Sequence, residues 1–139
     1  MALKPEMQAQ IEVIQWVKKQ QQLPPGEGYP PEDRADLALL YATFNGLFTS
    51  RQQAFNAKRA GLRRGVPDLV LPAPRGRWYG LYIELKVGRG KPSREQVEYL
   101  DALSRRGYRA EIAVGSAGAI ALLEDYMAAP RLRVQASPG

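Results

Sequence analysis

A chain of 139 residues suits one domain with a modest hydrophobic core, and 45% hydrophobic against 24% charged residues is an ordinary globular balance. With no cysteine and no histidine, disulfides, zinc fingers, cysteine nucleophiles and Ser-His-Asp triads are excluded, so acid–base work falls to Asp, Glu, Lys or Tyr. The net charge of +6 is concentrated: residues 51–109 hold 14 basic and 5 acidic groups, a positive field that attracts polyanions, nucleic acid first.

No apolar run approaches the ~18 residues of a membrane span, and the N-terminus lacks a signal-peptide core. Together with the absence of cysteine, this fits a cytoplasmic setting with no membrane partner. In chain order, Pro5 suits a first helical position, and Met7, Ile11, Ile14 and Val17 recur at helical spacing, predicting a helix over 5–22. Glu6 reads by itself as a helix-start acid favoured by the dipole. Gln10 lies one turn further on the same edge, and Glu12 reads as solvated. Residues 23–36, rich in proline and glycine, read as a loop too short to link domains. Residues 37–44 are ambiguous between strand and helix; a strand ending at the Asn45-Gly46 turn is favoured. Thr49 or Ser50 caps a helix over 51–60, which Gly61 stops. That helix and its exit carry Arg51, Lys58, Arg59, Arg63 and Arg64, candidate phosphate contacts.

Residues 66–72 and 78–87 are two apolar runs separated by Ala-Pro-Arg-Gly-Arg, which reads as a hairpin. Asp68 and Glu84 are equidistant from Gly76, so a hairpin centred there places them opposite each other, about 4.5–5.5 Å apart at Cβ. Lys86, two residues beyond Glu84, shares that face, while Leu69, Leu71, Leu81, Ile83 and Leu85 form a core face. Glu-Leu-Lys alone is an ordinary surface ion pair. Two facing carboxylates beside a lysine repel unless a divalent cation with hard oxygen ligands stands between them.

The Gly-Arg-Gly-Lys-Pro turn after the hairpin lacks the nucleotide-loop pattern. It leads into Ser93, which with Gln96 forms a capping box opening a helix to about Arg106, with Val97, Leu100 and Leu103 as its buried stripe. Gln96 either closes that box alone or reaches back to the carboxylates. Gly107 ends the helix. Residues 108–114 alternate as a strand with Tyr108, Ala110, Ile112 and Val114 on one face. Ser116 is expected to cap a last helix over 117–128, with Ile120, Leu123 and Met127 inward. Leu132 and Val134 are candidates for a short edge strand, and residues 136–139 are expected to fray. No internal repeat is visible. The chain thus reads as a single domain over 1–139, its core at about 6–128 and a tail over 129–139.

Pro67-Asp68 followed by Glu84-x-Lys86 resembles the PD-(D/E)xK nuclease signature. The fuller pattern resembles the stand-alone VRR-NUC branch found in phages and bacteria. It comprises Glu6-x-x-x-Gln10, Asn45-Gly46, Ala60-Gly61-Leu62-x-x-Gly65-Val66-Pro67-Asp68-Leu69, Gly80-Leu81-Tyr82-Ile83-Glu84-Leu85-Lys86, Gln96 and Gly107-Tyr108, spread over most of residues 6–127. Phe44 departs from it, standing where similar proteins often have proline. The resemblance implies an α/β restriction-endonuclease-like fold, a mixed sheet of about four strands with helices on both faces. It implies that Asp68, Glu84 and the Leu85 carbonyl hold catalytic Mg²⁺ or Mn²⁺, with Glu6 completing the site from the first helix. Lys86 would position the attacking water and stabilise the pentavalent phosphate, and Gln96 would support the metal site or contact substrate. Arg63, Arg64, Arg89, Lys91 and Arg94 would hold flanking DNA phosphates. Similar small proteins act as homodimers on branched DNA such as four-way junctions, in the cytoplasm of a bacterial or phage-infected cell. The competing class is a catalytically silent basic DNA- or protein-binding module of the same fold. Intact Asp68, Glu84 and Lys86 favour the nuclease, since a pure binder gains nothing from carboxylates facing phosphates.

Overall fold

The computed structural model describes residues 2–43 and 50–131. Phe44, the Asn45-Gly46 turn, Thr49, and the expected features at Leu132, Val134 and residues 136–139 lie outside them. Among the described residues no helix is long and apolar enough to cross a membrane.

The first helix, α1 (Pro5–Gln22), has the expected bounds, with proline in its first turn. Its inward stripe is Ala9, Val13 and Val17, whereas Met7, Ile11 and Ile14 are half-buried, so the contact face is rotated from the one the larger apolar residues suggested. The stretch read as a loop over 23–36 contains a short helix, α2 (Pro31–Leu37). Pro31 presets its first turn, and Glu32 and Asp33 favour its N-terminal dipole. Arg34 secures the preceding loop, donating to the carbonyls of Leu23 at 2.6 Å and Tyr29 at 2.7 Å. Leu37, expected in a strand, closes this helix, and the strand contracts to β1 (Tyr41–Ala42). Ser50 caps α3 (Arg51–Arg59) by accepting from the Gln53 N–H, and Gly61 leaves the helix with φ +106°.

The hairpin forms from β2 (Leu69–Leu71) and β3 (Leu81–Lys86), antiparallel, with Leu69 opposite Ile83, Val70 opposite Tyr82 and Leu71 opposite Leu81. This is the register deduced from Gly76. At the tip, Arg75 pairs with Trp78, one step out of that register. The offset is taken up between Leu71 and Arg75, where Pro72 and Pro74 cannot donate to a ladder. Arg75 is itself buried, and its guanidinium meets Asp33 at 2.6 Å and Asp36 at 3.1 Å, tying the tip to α2.

Ser93 and Gln96 form the reciprocal capping box of α4 (Arg94–Ser104), which ends two residues before the expected stop. Leu100 is buried and Leu103 half-buried, but Val97 is 48% exposed and is no part of the stripe. The next strand, β4 (Arg109–Val114), lies parallel to β3, so α4 is the crossover of a βαβ unit. Ala110, Ile112 and Val114 share one face as expected, but that face is not the core side. Tyr82 pairs with Ala110, Glu84 with Ile112 and Lys86 with Val114, so the apolar alternation lies on the charged side of the sheet. Ala113, opposite Leu85, is the residue that enters the core, while Ile112 and Val114 are exposed. The last helix, α5 (Gly115–Ala128), starts at Gly115 without a side-chain cap. Ser116 instead donates to a Glu12 carboxylate oxygen, so Ser116 is not the cap and Glu12 is not merely solvated. Leu123 and Met127 point inward as expected, joined by Ala119 and Tyr126, and Ile120 packs at the margin.

The sheet order is β1-β2-β3-β4. Its core face packs Leu69, Leu71, Leu81, Ile83 and Leu85 against α1 and α5. Its other face carries Glu84 towards α4. This is the expected mixed four-stranded sheet with helices on both sides.

Candidate active site

Continuing the β2–β3 register by one step brings Asp68 opposite Glu84. Just before β2, the Pro67-Asp68 backbone is held by Thr43, whose N–H donates to the Asp68 carbonyl at 3.0 Å and whose hydroxyl donates to the Pro67 carbonyl at 2.8 Å. The Asp68 side chain turns across the hairpin and its Oδ2 accepts the Leu85 N–H at 2.7 Å. In an extended strand a residue's N–H and C=O leave on the same side, so the Leu85 carbonyl also faces the Asp68 flank.

Glu84 is only 2% exposed. Its Oε1 lies 3.5 Å from Lys86 Nζ and accepts from Gln96 Nε2 at 2.8 Å. The Gln96 Oε1 simultaneously accepts the Ser93 N–H at 2.8 Å, so this glutamine does not close the capping box alone: it closes the box and reaches back to Glu84. The second Glu84 oxygen, Oε2, is buried with no hydrogen-bond partner. A buried, unpartnered carboxylate oxygen is costly, and a cation relieves that cost.

Electrostatics point the same way. Burial, followed by the charge of Asp68, pushes the Glu84 carboxyl from an ordinary 4.5 up to about 8, against the pull of Lys86. Asp68 is likewise raised, first by burial and further by the charge of Glu6, while the Leu85 N–H opposes the shift. Without a cation, the pair therefore retains a proton that two separated carboxylates would release. Hard oxygen donors of this kind match Mg²⁺ or Mn²⁺ rather than a soft-ligand metal. Among the described residues no group of three His, Cys, Asp or Glu side chains is disposed to hold a metal. An ion here would have two carboxylates and would complete its shell with the Leu85 carbonyl, water and phosphate, a habit characteristic of Mg²⁺. Glu6 is exposed, lines the same cleft and acts on Asp68 through its charge. Gln10 is half-buried on α1 and makes no side-chain hydrogen bond among the described residues.

These groups open into a cleft of about 820 Å³. Glu6, Asp68, Glu84, Glu95 and Gln96 line it together with Lys58, Arg63 and Arg64. The loop carrying Arg63 and Arg64 lies close against α4 because of Gly65, at φ +81°: a Cβ there would come within 2.9 Å of the Glu95 backbone carbon. The other expected phosphate contacts are not in the cleft. Arg89 and Lys91 are exposed on the turn after β3, and Arg94 pairs with Glu98 at 2.9 Å on the surface of α4. Sequence reasoning missed Thr43, because its role depends on the pairing of β1 with β2 and has no local signature. Phe55, on the exposed surface of α3, also lines the cleft.

The sequence profile of the VRR-NUC domain matches residues 4–117, a span that contains Glu6, Asp68, Glu84, Lys86 and Gln96. No curated protein matches the chain. A solved structure described as a VRR-NUC domain protein is 25% identical to it, covers 96% of each chain and superposes with a TM-score of 0.70. With most of its length inside the family profile and its architecture shared with that structure, the chain belongs to the VRR-NUC family of nuclease domains.

Proposed function

We propose that this protein is a metal-dependent endodeoxyribonuclease that hydrolyses phosphodiester bonds of branched DNA, four-way junctions among them, as a homodimer. The observation that carries the metal-dependent reading is the Asp68–Glu84 pair, in which the buried Glu84 Oε2 has no partner, with Lys86 beside it and Lys58, Arg63 and Arg64 lining the same cleft. Asp68, Glu84 and the Leu85 carbonyl hold Mg²⁺ or Mn²⁺, with Glu6 at the rim. When bound, the ion neutralises phosphate charge and lowers the pKa of water.

The chain's own groups do the rest. Lys86 orients the attacking water and stabilises charge that develops on the phosphoryl oxygens. Gln96 fixes the rotamer of Glu84 through its 2.8 Å hydrogen bond, and Thr43 fixes the backbone that carries Asp68. Lys58, Arg63 and Arg64 bind phosphates next to the scissile one, while Arg89, Lys91 and Arg94 contact DNA outside the cleft. Water adds its oxygen to phosphorus, the bond to the leaving sugar oxygen breaks, and that oxygen takes up a proton. A strand with a terminal phosphate and one with a free hydroxyl result.

The branched substrate, the homodimer and the cytoplasmic setting rest on the resemblance. Ile112 and Val114, exposed at the β4 edge, offer an apolar surface to a second copy. The test is to incubate the purified protein with Mg²⁺ or Mn²⁺ and a four-way junction or a linear duplex of the same sequence, alongside sedimentation at several concentrations. Preferential junction cleavage by a species of twice the chain mass is expected. Equal cleavage of both substrates by a monomer would overturn the junction and dimer assignments.

A further inference from the structure

The cleft continues beyond the carboxylates. Arg63, Arg64 and Glu95 line it and also line a second cavity of about 440 Å³. This cavity follows one face of α4 and its exit, where Glu95, Tyr99, Ala102 and Arg106 recur at helical spacing. At 1.5 Å per residue, the stretch from Glu95 to Arg106 is about 16 Å long. That is room for several stacked nucleotides at ~3.4 Å each.

The composition of this groove differs from that of a simple phosphate track. Its rim carries Arg63, Arg64 and Arg106 against Glu95 and Glu98, all exposed, with Glu98 engaged by Arg94 at 2.9 Å, while Tyr99, Ala102 and Leu103 form a half-buried apolar floor. The Arg63 guanidinium lies over the Tyr99 ring, 5.9 Å from its centroid. Glu95 sits where the two cavities meet. A carboxylate there repels phosphate but accepts hydrogen bonds from exocyclic amino groups of bases. A duplex presents phosphates outward and keeps its base faces stacked inside; only an unpaired nucleotide offers both a ring face and amino groups.

We propose that this groove seats an unpaired nucleotide of the DNA strand that runs through the cleft. Its base takes the place of the Arg63 guanidinium on Tyr99, and the displaced guanidinium moves to a phosphate, with Arg64 and Arg106 on its neighbours. The identification of that strand as the one being cut rests on the nuclease reading. The groove then selects substrates with unpaired bases adjoining the cleaved phosphate, such as flaps, gaps or a junction opened at its crossover.

Binding in EDTA, with no cleavage, tests the groove by itself. The probes are a single-stranded oligonucleotide containing 2-aminopurine and a duplex of the same length. Wild type should quench the 2-aminopurine, and Tyr99→Leu should lose the quench and bind the single strand about tenfold more weakly. Tyr99→Phe should retain both, and all three proteins should bind duplex alike. Because Tyr99 is half-buried, a second arm uses the exposed rim. Arg106→Gln should weaken single-strand binding at least threefold more than Arg105→Gln, the same charge change outside the groove. Unchanged quench and affinity in Tyr99→Leu, or equal effects of the two arginine variants, would overturn the groove. A protein that stacks the probe but cuts no DNA with Mg²⁺ keeps the groove and loses the nuclease reading; cutting without stacking does the reverse.

Discussion

Glu84 holds its proton in the metal-free fold because water cannot reach it and Asp68 stands opposite. Its folded value of about 8 lies above an ordinary 4.5, so between those values the folded state binds more protons than the unfolded chain. Stability contributed by this group is therefore full below about pH 4.5 and is lost as pH rises towards 8. Thermal melts in EDTA should show the melting temperature of wild type falling across that window relative to Glu84→Gln. Saturating Mg²⁺ should flatten the difference, and a wild-type curve parallel to that of Glu84→Gln in EDTA would contradict the assignment. Thr43 is expected to matter by another route. Thr43→Val removes one hydrogen bond to the Pro67 carbonyl, costs about 1 kcal/mol in urea unfolding, and lowers cleavage by letting Asp68 drift. The facing positions of Asp68, Glu84 and Lys86 were legible because the two-residue period of a strand and one turn glycine fix them. Thr43 was not, because only long-range pairing brings it to Pro67.

Among the elements, α4 was the most readable, since the Ser93–Gln96 capping box is a local device and sets the helix start, from which Gln96 reaches Glu84. The helix α2 was hidden because proline and glycine dominate its neighbourhood, and its position depends on Arg75, far along the chain. Which side of β4 is core was not legible for a related reason: alternation reveals two faces, but the packing of α5 decides which one is core, and Ala113 rather than Ile112 or Val114 enters it. Two substitutions probe this level. Gly65→Ala forces a left-handed backbone and a contact with Glu95, so it should cost more than about 1 kcal/mol and push the Arg63–Arg64 loop away from α4. Urea unfolding and cleavage assays should both register it, and unchanged values would show that the loop does not need this approach. Arg75→Ala leaves Asp33 and Asp36 without their buried partner and should cost about 3 kcal/mol by urea unfolding, with the hairpin tip loosened from α2.

For the whole molecule, the charge distribution and the fold converge: the basic excess of residues 51–109 surrounds the hairpin and supplies the cleft wall. DNA affinity should fall steeply with salt. Arg63→Ala and Arg64→Ala should each reduce the log–log slope by about 0.9, the contribution of one phosphate. Arg94→Ala should reduce it less, because its guanidinium is engaged by Glu98; fluorescence anisotropy across a salt series reads this directly. The central claim is that Asp68, Glu84 and Lys86 perform metal-assisted hydrolysis at that basic cleft. Cleavage of a four-way junction by the purified protein in Mg²⁺, compared with Asp68→Ala and Lys86→Ala, tests it most directly. Each substitution is predicted to lower the rate at least about 10²-fold while junction affinity in EDTA stays within about twofold; equal cleavage by wild type and Lys86→Ala would contradict the account.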